Sequence, residues 1–322
     1  MAKKSGLTLE AELGALSALV GDPRGEEARA ALLAGLRSKR APVAARAARL
    51  VREHRIDGLE AELKDAFDRF MRDPVKSDPG CQAKLAVLEA LDYGESMDSA
   101  PFVRAVGHVQ LEGAPDTAGG VRARGVLALA RMGYADFDLI VAQLLTDRLT
   151  AVRHAALEGL AHRGDRAGAA LAQLKISVGD DEPVVTLAAM SALLVLAPEW
   201  ALAELRAIVG GKDAEARELA AVTLGQSRTD GALSVLLSAL ERCIRSEDRE
   251  ALLRGIGLHR SERALDAMLA VIAEAGPVDA KVAIESLVAR RFEPGILARV
   301  RSATEANERA PLAALVDDVF RR

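Results

Sequence analysis

Arg122, Arg153, Arg217 and Arg249 occupy one position of a recurring pattern, with Thr186 interrupting the series, and Asp116, Asp147, Asp180 and Asp213 stand in the turns just before that position. A guanidinium beside a carboxylate makes charge-assisted hydrogen bonds that tie neighbouring segments together, whereas guanidinium groups alone would gather anions. Because the Arg and Asp residues recur together, their spacing predicts a structural ladder. Other chemistries find less support. The five histidines, His54, His108, His154, His162 and His259, are scattered without metal-ligand spacing, and Cys81 and Cys243 lie too far apart in sequence to point to a disulfide or a zinc site. No Gly-x-Ser-x-Gly elbow accompanies the serines and histidines. Thr117-Ala118-Gly119-Gly120 lacks both the Gly-Lys-Ser/Thr ending and the preceding strand of a phosphate loop, so it reads as a capping turn. No catalytic residue, metal ligand or cofactor-binding residue emerges from these patterns.

A second row consists of Gln143, Lys175, Arg206, Leu237, Leu269 and Arg301, at intervals of 32 (175−143), 31 (206−175), 31 (237−206), 32 (269−237) and 32 (301−269). The elements that carry both rows repeat at the same period. Leu129, Leu160, Leu193, Leu224, Ile256 and Leu287 each close an Ala-rich stretch, spaced by 31 (160−129), 33 (193−160), 31 (224−193), 32 (256−224) and 31 (287−256). Such self-similarity marks a stacked repeat, each unit burying its neighbour's apolar face. Within a unit the apolar residues fall at helical spacing, as at Val152, Ala155, Ala156 and Leu160 followed by Leu171, Leu174 and Val178, and no alternating strand pattern is read anywhere. Each unit is therefore expected to be a pair of short helices, about nine pairs in all with a cap, giving an all-α solenoid. Extending the register backwards places Leu91 and Val51 at wider gaps of 38 (129−91) and 40 (91−51). The surplus residues form two long connections, at 73–80 and 112–120, expected on the same edge of the stack and read mainly as tolerated insertions.

The segment Val152-Arg153-His154-Ala155-Ala156-Leu157-Glu158-Gly159-Leu160, preceded by Asp147, resembles the HEAT repeat family, and the short period is similar to the HEAT-like repeats of phycobilin lyases. The resemblance covers most of the chain and implies an α-solenoid without implying a reaction. It also implies that the Arg and Asp rows link adjacent turns, and that second helices line the concave face, where Gln143, Lys175, Arg206, Leu237, Leu269 and Arg301 would meet a protein or peptide partner. HEAT-like hydroxylases hold iron on His-Glu pairs. Here the order is Glu53-His54, and His154 is followed by Ala155.

One continuous domain over residues 1–322 is expected, with 1–40 as N-terminal capping helices, including one from Leu7 to Val20, and 306–322 as a C-terminal capping helix. A net charge of −4 removes any global drive toward nucleic acid. The run Arg37, Lys39, Arg40, Arg46, Arg49, Arg52 and Arg55 keeps nucleic-acid binding as an alternative, although these residues rotate around the helix and acidic residues follow them. Trp200, next to Pro198-Glu199 at a helix start, reads as a local packing staple, with a partner anchor as its alternative. No apolar run has the length of a membrane span, and residues 1–6 lead into an amphipathic segment, so a cytoplasmic protein is expected. The reading is a non-enzymatic scaffold that binds a protein or peptide on the concave face or the long-loop edge. Its alternatives are a nucleic-acid-binding HEAT-like protein and a HEAT-like lyase or hydroxylase.

Overall fold

The computed structural model describes residues 8–18, 25–309 and 311–321. Residues 1–6, together with Leu7 and Val20 at the ends of the first expected helix, lie outside them. The chain gathers into two compact units, residues 1–163 and 164–322. The first holds α1 (Leu9–Ser17), α2 (Glu26–Arg37), α3 (Ala41–Glu53), α4 (Glu60–Arg72), α5 (Pro74–Ser77), α6 (Gln82–Tyr93), α7 (Ala100–Val106), α8 (Gly119–Arg131), α9 (Phe137–Leu144) and α10 (Thr150–Arg163). The second holds α11 (Ala169–Val178), α12 (Pro183–Leu196), α13 (Pro198–Val209), α14 (Ala214–Ser227), α15 (Asp230–Arg242), α16 (Ser246–Leu258), α17 (Glu262–Glu274), α18 (Pro277–Leu287), α19 (Ile296–Glu305) and α20 (Ala313–Arg321).

In both units the first helix of each pair packs on the first helix of the next. The stack runs α3, α6, α8, α10 in one unit and α12, α14, α16, α18 in the other, with α4 and α7, or α13, α15, α17 and α19, packed alongside as second helices. Every repeat-closing residue is buried where its first helix ends: Val51, Leu91, Leu129 and Leu160 in the first unit, and Leu193, Leu224, Ile256 and Leu287 in the second. Alanine supplies the close contact between these helices, since Ala44, Ala45, Ala47 and Ala48 of α3, and Ala220 and Ala221 of α14, are fully buried. Starts and stops follow the sequence as well. Pro42, Pro183, Pro198 and Pro277 sit in first turns, where the missing N–H costs nothing, and Asp213, Thr229 and Ser261 cap α14, α15 and α17 through their side chains.

As expected, no strand forms among the described residues, and β-type contact is confined to one place. Residues 108–111 alternate between buried and exposed, and an isolated antiparallel bridge joins Leu111 to Asp116. The alternation escapes a search for apolar-in, polar-out spacing because its sense is reversed, with polar His108 and Gln110 facing inward and apolar Val109 and Leu111 facing outward.

Candidate interaction surfaces

The arginine row is a ladder. Arg122 donates from Nε to Asp147 Oδ2 (2.7 Å), from Nη2 to Asp116 Oδ2 (2.7 Å), and from Nη1 to the His108 carbonyl (2.7 Å), bridging its own turn and the next. Arg217 reaches Asp248 (2.7 Å) and the Gly211 carbonyl (2.6 Å), and Arg249 reaches Asp279 (2.5 Å) with the Leu240 and Cys243 carbonyls (2.9 and 3.0 Å). Arg153 Nη1 donates to the Asp147 carbonyl (2.8 Å). The recurring rule is one guanidinium, one carboxylate of the following turn and a carbonyl of the preceding one. Asp213 departs from it by capping α14 through the Ala216 N–H (3.1 Å).

The two long connections interlock instead of hanging free. Asp78 and Lys84 are both fully buried, with Nζ 3.3 Å from the carboxylate, and Asp78 also caps α6 by accepting from the Ala83 and Lys84 N–H groups at 2.9 Å each. Lys84 Nζ donates to Gln110 Oε1 (2.8 Å), and Gln110 Nε2 donates to the Asp78 carbonyl (2.9 Å) and to Glu112 Oε1 (2.6 Å). Glu112 Oε1 accepts further bonds from the Gly80 N–H (2.6 Å) and Thr117 Oγ1 (2.9 Å). The Gly80 amide, then Gln110 and Thr117, hold the Glu112 carboxyl below the usual range. Burial is the largest influence on Asp116 and pushes it up, but hydrogen bonds from Arg122, Ala118 and Gln110 bring its carboxyl below the ordinary value. Burial lowers His108 and raises the Cys81 thiol. This network was missed in the sequence because its members, Asp78 and Lys84 on one side and Gln110, Glu112 and Thr117 on the other, are separated along the chain and meet only on folding.

The capping turn at Thr117–Gly120 is filled from within. Asp116 Oδ1 accepts from the Ala118 N–H (3.0 Å), and a Cβ on Gly119 would lie 2.6 Å from Leu149 Cδ1, so this glycine serves helix packing. The basic run is largely paired: Arg37 with Glu62, Arg40 with Glu12, Arg46 with Glu53, and Arg52 with Glu89, while Arg55 lies over the Tyr93 ring. Among the described residues, no three His, Cys, Asp or Glu side chains converge as a metal site.

The six residues of the second row have different surroundings. Gln143 and Arg206 are exposed. Lys175 is tucked down, with Nζ 2.6 Å from Asp180, and Arg301 is exposed but pairs with Asp317 (3.0 Å). Leu237 and Leu269 are half-buried against the core of the second unit. Gln143 belongs to the first unit and the other five to the second.

The packing role expected of Trp200 is corrected by the structure. Ala201, Leu205 and Val209 form the buried stripe of α13, which rotates the preceding residue outward, and Trp200 is 61% exposed. Its indole N–H donates to Gln173 Oε1 of α11 (3.0 Å), fixing the ring across two second helices. Leu174 and Val178 of α11 are exposed as well. Beside the start of α13, a groove of about 390 Å³ is lined by Leu194, Val195, Pro198, Leu202 and neighbouring hydroxyl and amide side chains, with no charged residue.

Within each unit, paired helices stacked through an Arg–Asp ladder give an all-α repeat architecture. Eleven solved chains resemble it, among them the following two. The chain is 19% identical to the complex of CpcE and CpcF of phycocyanin lyase from Nostoc sp. PCC7120, with 74% of this chain and 91% of that chain covered at a TM-score of 0.41. It is 18% identical to human deoxyhypusine hydroxylase, with 86% and 97% covered at a TM-score of 0.30. No protein-family model matches the sequence, and no curated protein matches it. Among the described residues no helix is long and apolar enough to cross a membrane.

Proposed function

We propose that the chain is a non-enzymatic scaffold, of cytoplasmic location, that binds a protein or peptide partner on the second helices of its second unit. The observation that carries this reading is Trp200, a large aromatic side chain held in the open by one hydrogen bond to Gln173. A pre-oriented indole loses little conformational entropy on binding, and tryptophan is enriched among the residues that dominate interface energies. Leu174 and Val178 add apolar area, the uncharged groove by Pro198 and Leu202 accepts a partner side chain, and Arg206 supplies polar contact on the same helix. From the second row, Gln143, Lys175, Leu237, Leu269 and Arg301 take supporting positions in this reading.

Affinity capture from host lysate with wild type, Trp200→Ala and Arg206→Glu, each with and without nuclease, tests the proposal. The expected result is a discrete set of proteins, resistant to nuclease, that both variants lose while their thermal unfolding stays within about 0.5 kcal/mol of wild type. Equal recovery by all three proteins would overturn the Trp200 surface. Recovery that depends on nucleic acid would favour the basic run of α3.

A further inference from the structure

The interlocked loops of the first unit hold one isolated antiparallel β-bridge, between Leu111 and Asp116. The bridge between Leu111 and Asp116 is closed by the Thr117 N–H donating to the Gln110 carbonyl (2.9 Å) and the Glu112 N–H donating to the Pro115 carbonyl (3.0 Å). In such an antiparallel pair the groups of residues 110 and 112 face the returning arm, so those of Leu111 point to the opposite side. On that side, among the described residues, neither the N–H nor the C=O of Leu111 meets a partner, and the same holds for Val109. The side chains of Val109 and Leu111 are each 58% exposed, whereas Gln110 is buried and His108 nearly so. Folded proteins usually blunt a free edge with lysine, proline or a covering element, and neither lysine nor proline stands at 109 or 111.

The segment is also rigidly backed. Gln110 is held by Lys84, the Asp78 carbonyl and Glu112, and the His108 carbonyl by Arg122. An edge fixed in this way needs no further ordering when it pairs. We propose that Val109–Leu111 docks an extended peptide segment of a partner protein by strand addition. The peptide backbone pairs with the free N–H and C=O groups of Val109 and Leu111, and its apolar side chains at alternate positions pack on theirs. A helix has no free backbone groups to offer such an edge. A second copy brings only its own three-residue edge, and two-stranded pairs of that size are marginal in water. An extended peptide can continue beyond the edge. The inference rests on reading the chain as a scaffold but uses a surface on the other unit from Trp200.

The test is selection of linear peptides of about twelve residues from a random display library on the full chain, followed by binding to Leu111→Pro and Trp200→Ala. Proline at 111 removes a donor that no internal hydrogen bond uses, and thermal unfolding of the variant matched to wild type separates lost binding from lost folding. The expected peptides alternate apolar residues, bind Leu111→Pro about ten-fold or more weakly, bind Trp200→Ala unchanged, lose affinity when alternate backbone nitrogens are methylated, and slow exchange of the Val109 and Leu111 amides. Absence of enriched peptides, equal binding to Leu111→Pro, or self-association abolished by Leu111→Pro would overturn strand addition. Peptides lost only with Trp200→Ala would overturn it while leaving the scaffold reading in place.

Discussion

At the scale of single residues the first unit concentrates its polar chemistry where apolar packing would ordinarily lie. Lys84 and Asp78 are fully buried together, and breaking such a pair leaves a charge without compensation. Lys84→Met should therefore destabilise the protein by about 3–5 kcal/mol in urea unfolding, because it takes the ammonium from the buried Asp78 carboxylate and a donor from the Gln110 amide oxygen at once. A change below about 1 kcal/mol would show that the network contributes little. His108 gives a separate signature in pH. Burial holds its imidazole below the ordinary value of 6.5, and Lys84 and Arg122 oppose protonation while Gln110 and Asp116 favour it. The unfolded chain thus binds a proton that the folded chain refuses, so this stability is present above about pH 6.5 and is lost as pH falls through the unfolded value toward the folded one. Melting temperatures between about pH 5 and 7.5 should show this slope in wild type, and His108→Gln should flatten it. An unchanged slope would assign it to other groups.

At the scale of elements, backbone approach decides what the helices tolerate. A Cβ on Gly225 of α14 would lie 2.1 Å from the Gly255 carbonyl oxygen of α16, and one on Gly255 would lie 2.6 Å from the Ala221 carbonyl oxygen. Gly225→Ala must push α14 and α16 apart, and a loss of about 3 kcal/mol or more is expected in thermal unfolding. Gly107→Ala, at a site with nothing within 4 Å and an ordinary negative φ, should be neutral or slightly stabilising. Equal effects would mean that the stack relaxes freely at α14. This level was the most legible in the sequence. The buried closers from Val51 to Leu287 mark the first helices and Pro198 marks the start of α13, because helical periodicity and helix starts are local properties. The surplus residues at 73–80 and 112–120 do fall between stacked first helices, but Pro74–Ser77 form α5 and Gly119 and Gly120 open α8. What escaped was their partnership, since no spacing links Asp78 and Lys84 to Gln110 until folding brings the two loops together. Trp200 escaped because its neighbour Ala201, a small residue, carries the buried stripe of α13.

At the scale of the whole molecule, a stacked array distributes its stability among neighbours. Each helix packs on those next to it in the stack: α4 meets α2, α3, α6 and α7, while α17 meets α16, α18 and α19. Interactions of that kind make folding approximately a sum of unit terms and nearest-neighbour terms, so damage is felt locally before it is felt globally. Phe67 of α4 and Leu265 of α17 are both buried, one in each compact unit. Truncating either to alanine leaves a cavity that costs about 2–5 kcal/mol. Hydrogen exchange should then report two different maps. Phe67→Ala is expected to speed exchange in α2, α3, α6 and α7 while α16, α18 and α19 keep their protection, and Leu265→Ala is expected to do the reverse. If both variants raise exchange evenly across the two units, the chain unfolds as one cooperative body, and the nearest-neighbour account fails for this protein even though its helices stack as repeats.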